Sequence, residues 1–304
     1  MREQDNLEPS LHPAHLRIGV VGAGRVGAPL GAALVRAGHR MSGVSAISEA
    51  SKKRAALLLP DAPILTADAV VKGAELVLLT IPDDVLPGFV AGAAKAGLFR
   101  PGQIVIHTAG HFGVGVLDPA TACGALPLAI HPIMTFTGTA MDIERMRGAI
   151  FGVTAPKSIM PIAEALVLEI GGEPALIAEG DRSAYHAALA WSANFLNVLV
   201  AEGMDQLRAI GIEEPSRALA PLLSAVLDNV LRSGDQALTG PIARGDAQTV
   251  AEHLRIMNEQ SPQVRDAYEV LARLTLLRAS NAGLLRTNDA MEIERILGGA
   301  DGPG

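Results

Sequence analysis

Residues 17–32 read R-I-G-V-V-G-A-G-R-V-G-A-P-L-G-A. A short run of β-branched residues leads directly into the turn Gly22-Ala23-Gly24-Arg25-Val26-Gly27, and small apolar residues that favour a closely packed helix follow it. A strand, a G-x-G-x-x-G turn and a helix in this order are typical of a dinucleotide-binding unit. Three glycines at this spacing can also form a turn that binds no ligand, so the flanking strand and helix carry the interpretation.

Each glycine of this turn has an expected physical role. Gly22 permits the tight turn out of the strand, Gly24 leaves room where the backbone approaches a pyrophosphate, and Gly27 lets the helix pack closely on the strand. The phosphates would accept hydrogen bonds from free N–H groups at the helix N-terminus. We therefore expect all six residues of the turn to bind a dinucleotide.

The composition narrows the class of protein. The 304 residues carry a net charge of −7 and 49% of them are hydrophobic, which predicts a large core and, from the length, two domains. The scarcity of basic clusters argues against nucleic acid as a partner. The most apolar helical stretch, 187–201, is short and contains Ser192, Asn194 and Asn197, so we expect a buried helix there and no membrane span.

Cysteine content and the first residues bear on the compartment. The single cysteine, Cys123, excludes an internal disulfide, argues against a cysteine-based metal site and fits a reducing cytoplasm. Residues 1–15 are polar and lack the apolar core of a signal peptide. We therefore expect a disordered lead, a cytoplasmic protein and no metal site.

The pattern of apolar segments predicts an α/β domain followed by an all-α domain. We expect a Rossmann-type dinucleotide-binding domain at 16–180, a helical domain for substrate binding and dimerisation at 181–297, and a frayed tail at 298–304. Short apolar strands alternate with helices in the first domain, as a doubly wound parallel sheet requires. The predicted strands are 17–21, 40–45, 62–66, 76–81, 103–107, 126–130 and 149–153, and the predicted helices between them are 25–37, 48–58, 83–96 and 156–170.

Helix start signals recur through the second domain. A long helix is predicted at 181–210, and Pro215 opens the next one near its first turn. Asp246 is predicted to cap a third helix and Ser261-Pro262 to start a fourth. Asp289 with Glu292 forms a capping-box pattern for a fifth.

The end of the second strand indicates which cofactor is bound. An NAD site places an acidic residue there to bind the adenosine ribose, but residues 45–48 read Ser-Ala-Ile-Ser and Glu49 comes late. Ser45 and Ser48 could instead donate to a 2′-phosphate, with charge from Lys52 or Arg54. This favours NADP over NAD. The competing interpretation is that the basic run is a solvated helix face.

Further cofactor contacts are expected where later strands end, because ligands of open α/β sheets bind at the carboxyl edge. Ile81, Pro82 and Asp83 follow the fourth predicted strand. Thr108 and Gly110 follow the fifth and could line the nicotinamide side.

Two histidines are the main candidates for acid–base chemistry, since imidazole transfers protons near neutrality. His131 ends a predicted strand, and His186 lies early in the long helix; we expect them to come from different domains and to meet between them. Asn194 shares a helix face with His186, about 12 Å further along the axis, and could bind another part of the substrate. The alternatives are partly buried structural histidines and an asparagine bonded to a neighbouring helix.

A polar loop of the second domain supplies candidate substrate ligands. Thr239 and Arg244 could hold a carboxylate, because the arginine fork matches that anion. Asp246, in the same loop, is more simply explained as the helix cap.

With these residues assembled, the chain resembles the group of Rossmann-like proteins that carry a helical carboxy-terminal domain of formerly unknown function, some of which act as alternative ketopantoate reductases. The likeness spans residues 16–279. The second domain would then be similar to that of 6-phosphogluconate dehydrogenase. The matching motifs are the glycine turn, Ile81-Pro82-Asp83-Asp84, His107-Thr108-Ala109-Gly110, His131-Pro132 with Phe136, Tyr185-His186-Ala187-Ala188, and Gly240-Pro241 with Arg244, Asp246 and Thr249.

More distantly, the layout looks like that of ketopantoate reductases, β-hydroxyacid dehydrogenases, pyrroline-5-carboxylate reductases and prephenate dehydrogenases. Ordinary ketopantoate reductases begin the interdomain helix with a lysine, followed by asparagines four and eight residues later. Here His186 and Ala190 occupy the first two places and only Asn194 matches. His131-Pro132 is instead similar to the histidine that contacts the substrate hydroxyl in prephenate dehydrogenases.

The resemblance implies an NADP-dependent reductase of a small 2-oxo acid, with 2-dehydropantoate as the named substrate. His186 would protonate the oxygen, and Asn194, Thr239 or Arg244 would fix the carboxylate. A prephenate-type or pyrroline-5-carboxylate-type oxidoreductase that uses His131 stays open, as does a non-catalytic NADP-binding sensor. A homodimer is expected, because the apolar helices exceed what one subunit can bury and related folds often dimerise through them.

Overall fold

The computed structural model describes residues 15–298, so the predicted lead up to residue 14 and the predicted tail from residue 299 lie outside the described residues. The chain divides into two compact units, one ending at Asn197 and the other beginning at Val198. The dividing point lies inside a long helix, whose start at Arg182 is close to the predicted start of the helical domain.

The first unit is built on a seven-stranded sheet with the order β2-β1-β3-β4-β5-β6-β7. The strands are β1 (Arg17–Val21), β2 (Arg40–Ser45), β3 (Leu76–Leu79), β4 (Ile104–His107), β5 (Leu126–Pro132), β6 (Ile150–Thr154) and β7 (Glu173–Leu176). The helices are α1 (Gly27–Arg36), α2 (Glu49–Leu58), α3 (Ala67–Gly73), α4 (Leu86–Lys95), α5 (Asp118–Thr121), α6 (Met141–Arg145), α7 (Met160–Glu169) and the first part of α8 (Arg182–Ala209).

The central strand β3 shows why these sequences form buried parallel strands. All four of its residues are apolar and buried. Leu76 and Leu78 belong to the hydrophobic cluster on one face of the sheet, whereas Val77 and Leu79 belong to the cluster on the other. A strand that is covered by helices on both faces needs an unbroken apolar run, and the alternation of side chains supplies both cores.

Two strand predictions for this unit are wrong. Residues 62–66 form no strand, only an isolated bridge between Ile64 and Val44. Pro63 has no N–H to donate to a ladder. Thr66 caps the unpredicted helix α3, since its hydroxyl accepts a hydrogen bond from the Ala69 N–H.

The sheet is also mixed, because β6 runs antiparallel to β5. The connection between these two strands contains only the short α6, so β6 begins at the same edge of the sheet at which β5 ends. The parallel edge strand β7 was not predicted.

The second unit is helical throughout its described residues. After the remainder of α8 it contains α9 (Pro215–Ser233), α10 (Pro241–Arg244), α11 (Ala247–Gln260), α12 (Pro262–Asn281) and α13 (Thr287–Leu297). The predicted cap is confirmed, because the Asp246 carboxylate accepts the Thr249 N–H. The capping box is wrong: α13 begins at Thr287, so Asp289 already lies in its first turn. Between residues 15 and 298, no helix combines the length and the hydropathy needed to cross a membrane.

Candidate active site

The glycine turn after β1 is held by the ends of two neighbouring strands. The N–H groups of Gly22 and Ala23 donate to the Ser45 carbonyl at the end of β2, at 3.3 and 2.9 Å. The Thr80 hydroxyl, just after β3, donates to the Gly22 carbonyl at 2.6 Å. Gly22 has a φ of +101°, which favours glycine. The turn is therefore fixed in shape before any ligand binds.

The structure gives Gly24 and Gly27 different roles. A Cβ on Gly27 would lie 2.2 Å from both the Gly22 carbonyl oxygen and the Thr80 hydroxyl, so this glycine permits the close approach of α1. A Cβ on Gly24 would meet nothing nearer than 4.0 Å, which leaves open space beside the turn. Among the described residues, the N–H groups of Arg25, Val26 and Gly27 have no acceptor. This arrangement fits the pyrophosphate of a dinucleotide.

The segment after β2 places the predicted 2′-phosphate ligands unequally. Ser45 is buried, and Ser48 is the N-cap of α2, with its oxygen accepting the Ser51 N–H. Glu49 is the first residue of α2 and pairs with Lys52 at 2.9 Å. Arg54 is half-buried and has no acidic partner within residues 15–298. Of the predicted cations near the second strand, Arg54 is thus the one not already in an ion pair.

Arg54 lies close to two other segments of the first unit. Its Nε is 2.6 Å from the position that a Cβ of Gly138 would occupy, and that position is 3.3 Å from the Arg25 Cα. The turn around Gly138 is fixed by the buried Asp142 carboxylate, which accepts the N–H groups of Thr137, Gly138 and Thr139. These hydrogen bonds lower the pKa of Asp142, against the effect of burial. Arg25 and Arg54 therefore lie close to one rigid turn.

The loop after β4 is fixed by His107, which is fully buried. Its Nδ1 accepts the Ala109 N–H at 3.2 Å, so its Nε2 carries the proton that is donated to the Gly113 carbonyl at 2.8 Å. Burial lowers the pKa of His107 to about 4. Both ring nitrogens are engaged, which makes this histidine a structural one.

The loop between His107 and Gly113 carries Thr108 and Gly110, both predicted to contact the cofactor, and a residue that the sequence analysis missed. The residue is His111, whose Nδ1 lies 3.0 Å from the Asp83 carboxylate after β3. The available signal was the second histidine four residues after His107, in a segment already expected at the carboxyl edge. Predicted as a cofactor ligand, Asp83 instead pairs with this histidine.

His131 and His186 lie close together, and both belong to the first compact unit, which extends to Asn197. Their ring centroids are 6.2 Å apart. Gly110 lies between them: a Cβ there would be 2.4 Å from the His186 Cδ2 and 3.1 Å from the His131 Nε2. The His131 Nδ1 is 2.7 Å from the Tyr185 phenolic oxygen.

The chemistry of this cluster is set by burial and by Arg182. Burial, followed by the positive charges of Arg182 and His186, lowers the pKa of His131 to about 4. Burial also raises the pKa of Tyr185. His131 is therefore neutral and Tyr185 is protonated at neutral pH, which suits a hydrogen-bonded pair that can polarise a carbonyl or imine group.

Arg182 fixes the start of α8 on the sheet. Its guanidinium is buried and donates to the Thr154 hydroxyl and to the carbonyls of Ala129 and Gly152, at 2.7 to 3.0 Å. Ala129 and Thr154 are paired across β5 and β6, and Gly152 is paired with His131 in the same ladder. The helix that carries Tyr185 and His186 is thereby anchored to the strand that carries His131.

The other predicted substrate ligands are exposed. Asn194 lies two turns beyond His186 in α8 and makes no side-chain hydrogen bond to any described residue. Thr239 and Arg244 belong to the second unit, where they flank the turn at Gly240, which has a φ of +94°. The structure therefore groups the two histidines and does not group Asn194 with them.

Solved structures share this fold at low sequence identity. A candidate NADP oxidoreductase from Bacteroides fragilis has a TM-score of 0.70 and 22% identity, with 86% of this chain and 97% of that chain covered. A reductive aminase from Aspergillus terreus, in complex with NADPH and ethyl levulinate, has a TM-score of 0.62 and 18% identity, with 92% and 98% covered. Pyrroline carboxylate reductase from Plasmodium falciparum, with NADP bound, has a TM-score of 0.54 and 11% identity, with 87% and 98% covered.

Family models account for most of the sequence. Among curated proteins, no sequence matches this chain. Residues 1–132 match the model of a Rossmann-like domain, and residues 149–275 match the model of a domain of unknown function, DUF2520. The chain thus consists of a Rossmann-like domain followed by a DUF2520 domain.

Proposed function

We propose that this protein is an NADP-dependent oxidoreductase that reduces a small 2-oxo acid, with 2-dehydropantoate as the first substrate to test. One observation carries the proposal. The glycine turn with its free N–H groups and the cluster of His131, Tyr185 and His186 lie at the same, carboxyl edge of one sheet. A dinucleotide bound at such an edge runs along it, from the pyrophosphate site towards groups that follow later strands.

NADP is favoured over NAD by the charges beside the glycine turn. No acid ends β2, and Glu49 is engaged with Lys52 within α2. Arg25 and Arg54 lie close to the turn at Gly138 and have no acidic partner among residues 15–298. A guanidinium matches a phosphate better than a ribose hydroxyl. The related folds named as NADP or NADPH complexes agree with this choice.

The chain's own residues would act on protons and on orientation. A bound nicotinamide supplies the hydride. His186 donates the proton to the substrate oxygen, while His131 stays neutral and holds the Tyr185 phenol beside it. Asn194 is assigned to a further polar group of the substrate, because its side chain is exposed.

A second candidate is a pyrroline-5-carboxylate-type or prephenate-type oxidoreductase that uses His131. The hydrogen bond between His131 and Tyr185 favours it, because it joins a neutral base to a phenol that can polarise an imine or hydroxyl group. In this version Tyr185 and His131 perform the proton transfer and His186 only packs beside them.

The test is NADPH oxidation with a panel of 2-oxo acids and cyclic imines, in wild type, His186→Gln and His131→Gln. We expect turnover of a 2-oxo acid and a loss of kcat of about a hundredfold in His186→Gln. The second candidate would be supported instead if wild type reduced a cyclic imine and His131→Gln lost more kcat than His186→Gln. Tight NADPH binding with no turnover of any compound would identify a cofactor-binding sensor and refute both.

The homodimer also belongs to this proposal. Helix α9 leaves a row of large apolar side chains exposed: Leu222, Val226, Leu227, Val230 and Leu231. Patches of this kind on one face mark interaction sites, and a second copy of the chain is the partner we assign. The single free cysteine, Cys123, fits a reducing cytoplasm as the compartment.

A further inference from the structure

The pair formed by Asp83 and His111 has no role in the function proposed above. It joins two loops at the carboxyl edge of the sheet, one after β3 and one after β4, through a 3.0 Å contact between the Asp83 carboxylate and the His111 Nδ1. We propose that Asp83 and His111 form a proton relay that reloads His186 from solvent after each turnover. The relay rests on the proposed function, because it needs His186 to give up a proton.

The position of His111 is fixed by main-chain contacts on both sides of it. His107 holds the loop from within, through Ala109 and Gly113. The Glu179 carboxylate accepts the N–H groups of Val114 and Gly115, at 2.8 and 2.9 Å. A loop of this rigidity holds an imidazole at a constant distance from its neighbours, as a proton-transfer group requires.

The imidazoles of His111, His186 and His131 form a short array. The ring centroids of His111 and His186 are 5.8 Å apart, and those of His186 and His131 are 6.2 Å apart. At this separation, rotation of one ring or a single bridging water brings ring nitrogens within hydrogen-bonding reach. His111 therefore lies next to the proposed donor.

Exposure gives the array a direction. The side chains of His111 and Asp83 are 37% and 44% exposed, so this end exchanges protons with bulk water. His131 cannot replace it, because its Nδ1 is bonded to Tyr185 and its pKa is about 4. His107 cannot either, because both of its nitrogens are engaged. His111 is thus the exposed imidazole adjacent to His186.

The protons and electrons balance along this path. The substrate carbonyl gains a hydride at carbon from the reduced nicotinamide and a proton at oxygen from the His186 imidazolium, so the cofactor is oxidised and the alcohol leaves. Neutral His186 then takes a proton from the His111 imidazolium. His111 takes a proton from the bulk solvent, and the Asp83 carboxylate, 3.0 Å from its Nδ1, holds the ring in place. Asp83 and His111 are positioning and relay groups; neither contacts the substrate.

The test compares His111→Gln and Asp83→Asn with Asp84→Asn, which neutralises the exposed neighbouring carboxylate. In weak buffer we expect kcat of His111→Gln to fall by about tenfold or more. The rate of NADPH oxidation in a single turnover should stay at the wild-type value, because that turnover uses the proton already on His186. Added imidazole should restore kcat in His111→Gln and leave wild type and Asp84→Asn unchanged.

A second readout needs no cofactor or substrate. In protein with ¹⁵N-labelled histidine, His111→Gln should slow the exchange of the His186 ring N–H with water, and Asp84→Asn should not. An unchanged exchange rate, an unchanged kcat, or an equal loss in the single turnover would each overturn the relay. If the wild type turns over a substrate and the kcat of His111→Gln is unchanged, only the relay is refuted. If the wild type turns over no compound of the panel, the proposed function and the relay are both refuted.

Discussion

The Tyr185 phenol and the His131 imidazole meet in a hydrogen bond of 2.7 Å, which links the first turn of α8 to the end of β5. The phenolic oxygen lies against Gly152 of β6, where a Cβ would be only 2.5 Å away. Arg182 anchors the same turn to the same two strands. The acid–base groups are therefore held by the sheet as well as by the helix.

Removal of this phenol should cost activity as well as stability. Tyr185→Phe leaves the partly buried His131 Nδ1 without a partner, and we expect unfolding in urea to be easier by about 1–3 kcal/mol. The matched control is Tyr268→Phe, which removes a similar 3.0 Å bond to His253 in the second unit. The control should lose stability and keep kcat. Equal kcat values in both variants would contradict a role for Tyr185 in the site.

The glycine turn should separate a ligand effect from a packing effect. Gly24→Ala points its new methyl group into open space, so we expect normal unfolding and weaker NADPH binding. Gly27→Ala places the methyl group 2.2 Å from main-chain and Thr80 oxygens, so we expect a loss of about 1–3 kcal/mol of stability as well. Titration of intrinsic fluorescence with NADPH and urea unfolding measure the two effects. Unaltered NADPH affinity in Gly24→Ala would refute the cofactor site.

Gly110 should matter for catalysis because it lies between His131 and His186. Gly110→Ala would place a methyl group 2.4 Å from the His186 Cδ2, so this ring must move and we expect kcat to fall. Gly92→Ala is the control, since nothing lies within 4 Å of its Cβ position in α4. Steady-state kinetics should show wild-type kcat for this control. A wild-type kcat in Gly110→Ala would show that the position of His186 is not critical.

Stability should fall as the medium becomes acidic. The pKa of His107 is about 4 in the folded protein, against 6.5 for the free side chain. Between these values the unfolded chain binds a proton that the folded chain does not, so unfolding becomes easier as pH falls. For His107 alone the loss is about 2 kcal/mol between roughly pH 7 and pH 5. Urea unfolding measures it, and His107→Gln should show a smaller change over the same range.

The assembly state can be tested on α9. Val226→Glu places a charge in the exposed apolar row, and we expect light scattering to show a shift from dimer to monomer. Leu57→Glu is the control, because Leu57 is 80% exposed on α2 in the first unit. A monomeric wild type, or a dimer that tolerates Val226→Glu, would refute the assignment of this face.

Local sequence determined the features that depend on neighbouring residues. The bounds of β1 and β2 follow from apolar runs and turn residues, and they match the structure residue by residue. The cap at Asp246 and the helix start at Pro262 depend on chemistry within one turn of helix. Short stretches of sequence also predicted the family resemblance, the order of an α/β domain before an all-α domain, and the late position of Glu49.

Only the tertiary structure decided which distant residues meet. Three features depend on contacts between separate segments or on how the chain returns to the sheet. They are the antiparallel pairing of β6 with β5, the absence of a strand at 62–66, and the ion pair of Asp83 with His111. A single sequence carries no direct record of such contacts, because they arise from the packing of whole elements. The glycine turn thus indicated a cofactor, whereas the array from Asp83 to Tyr185 appeared only when the loops after β3 and β4 met the end of β5 and the start of α8.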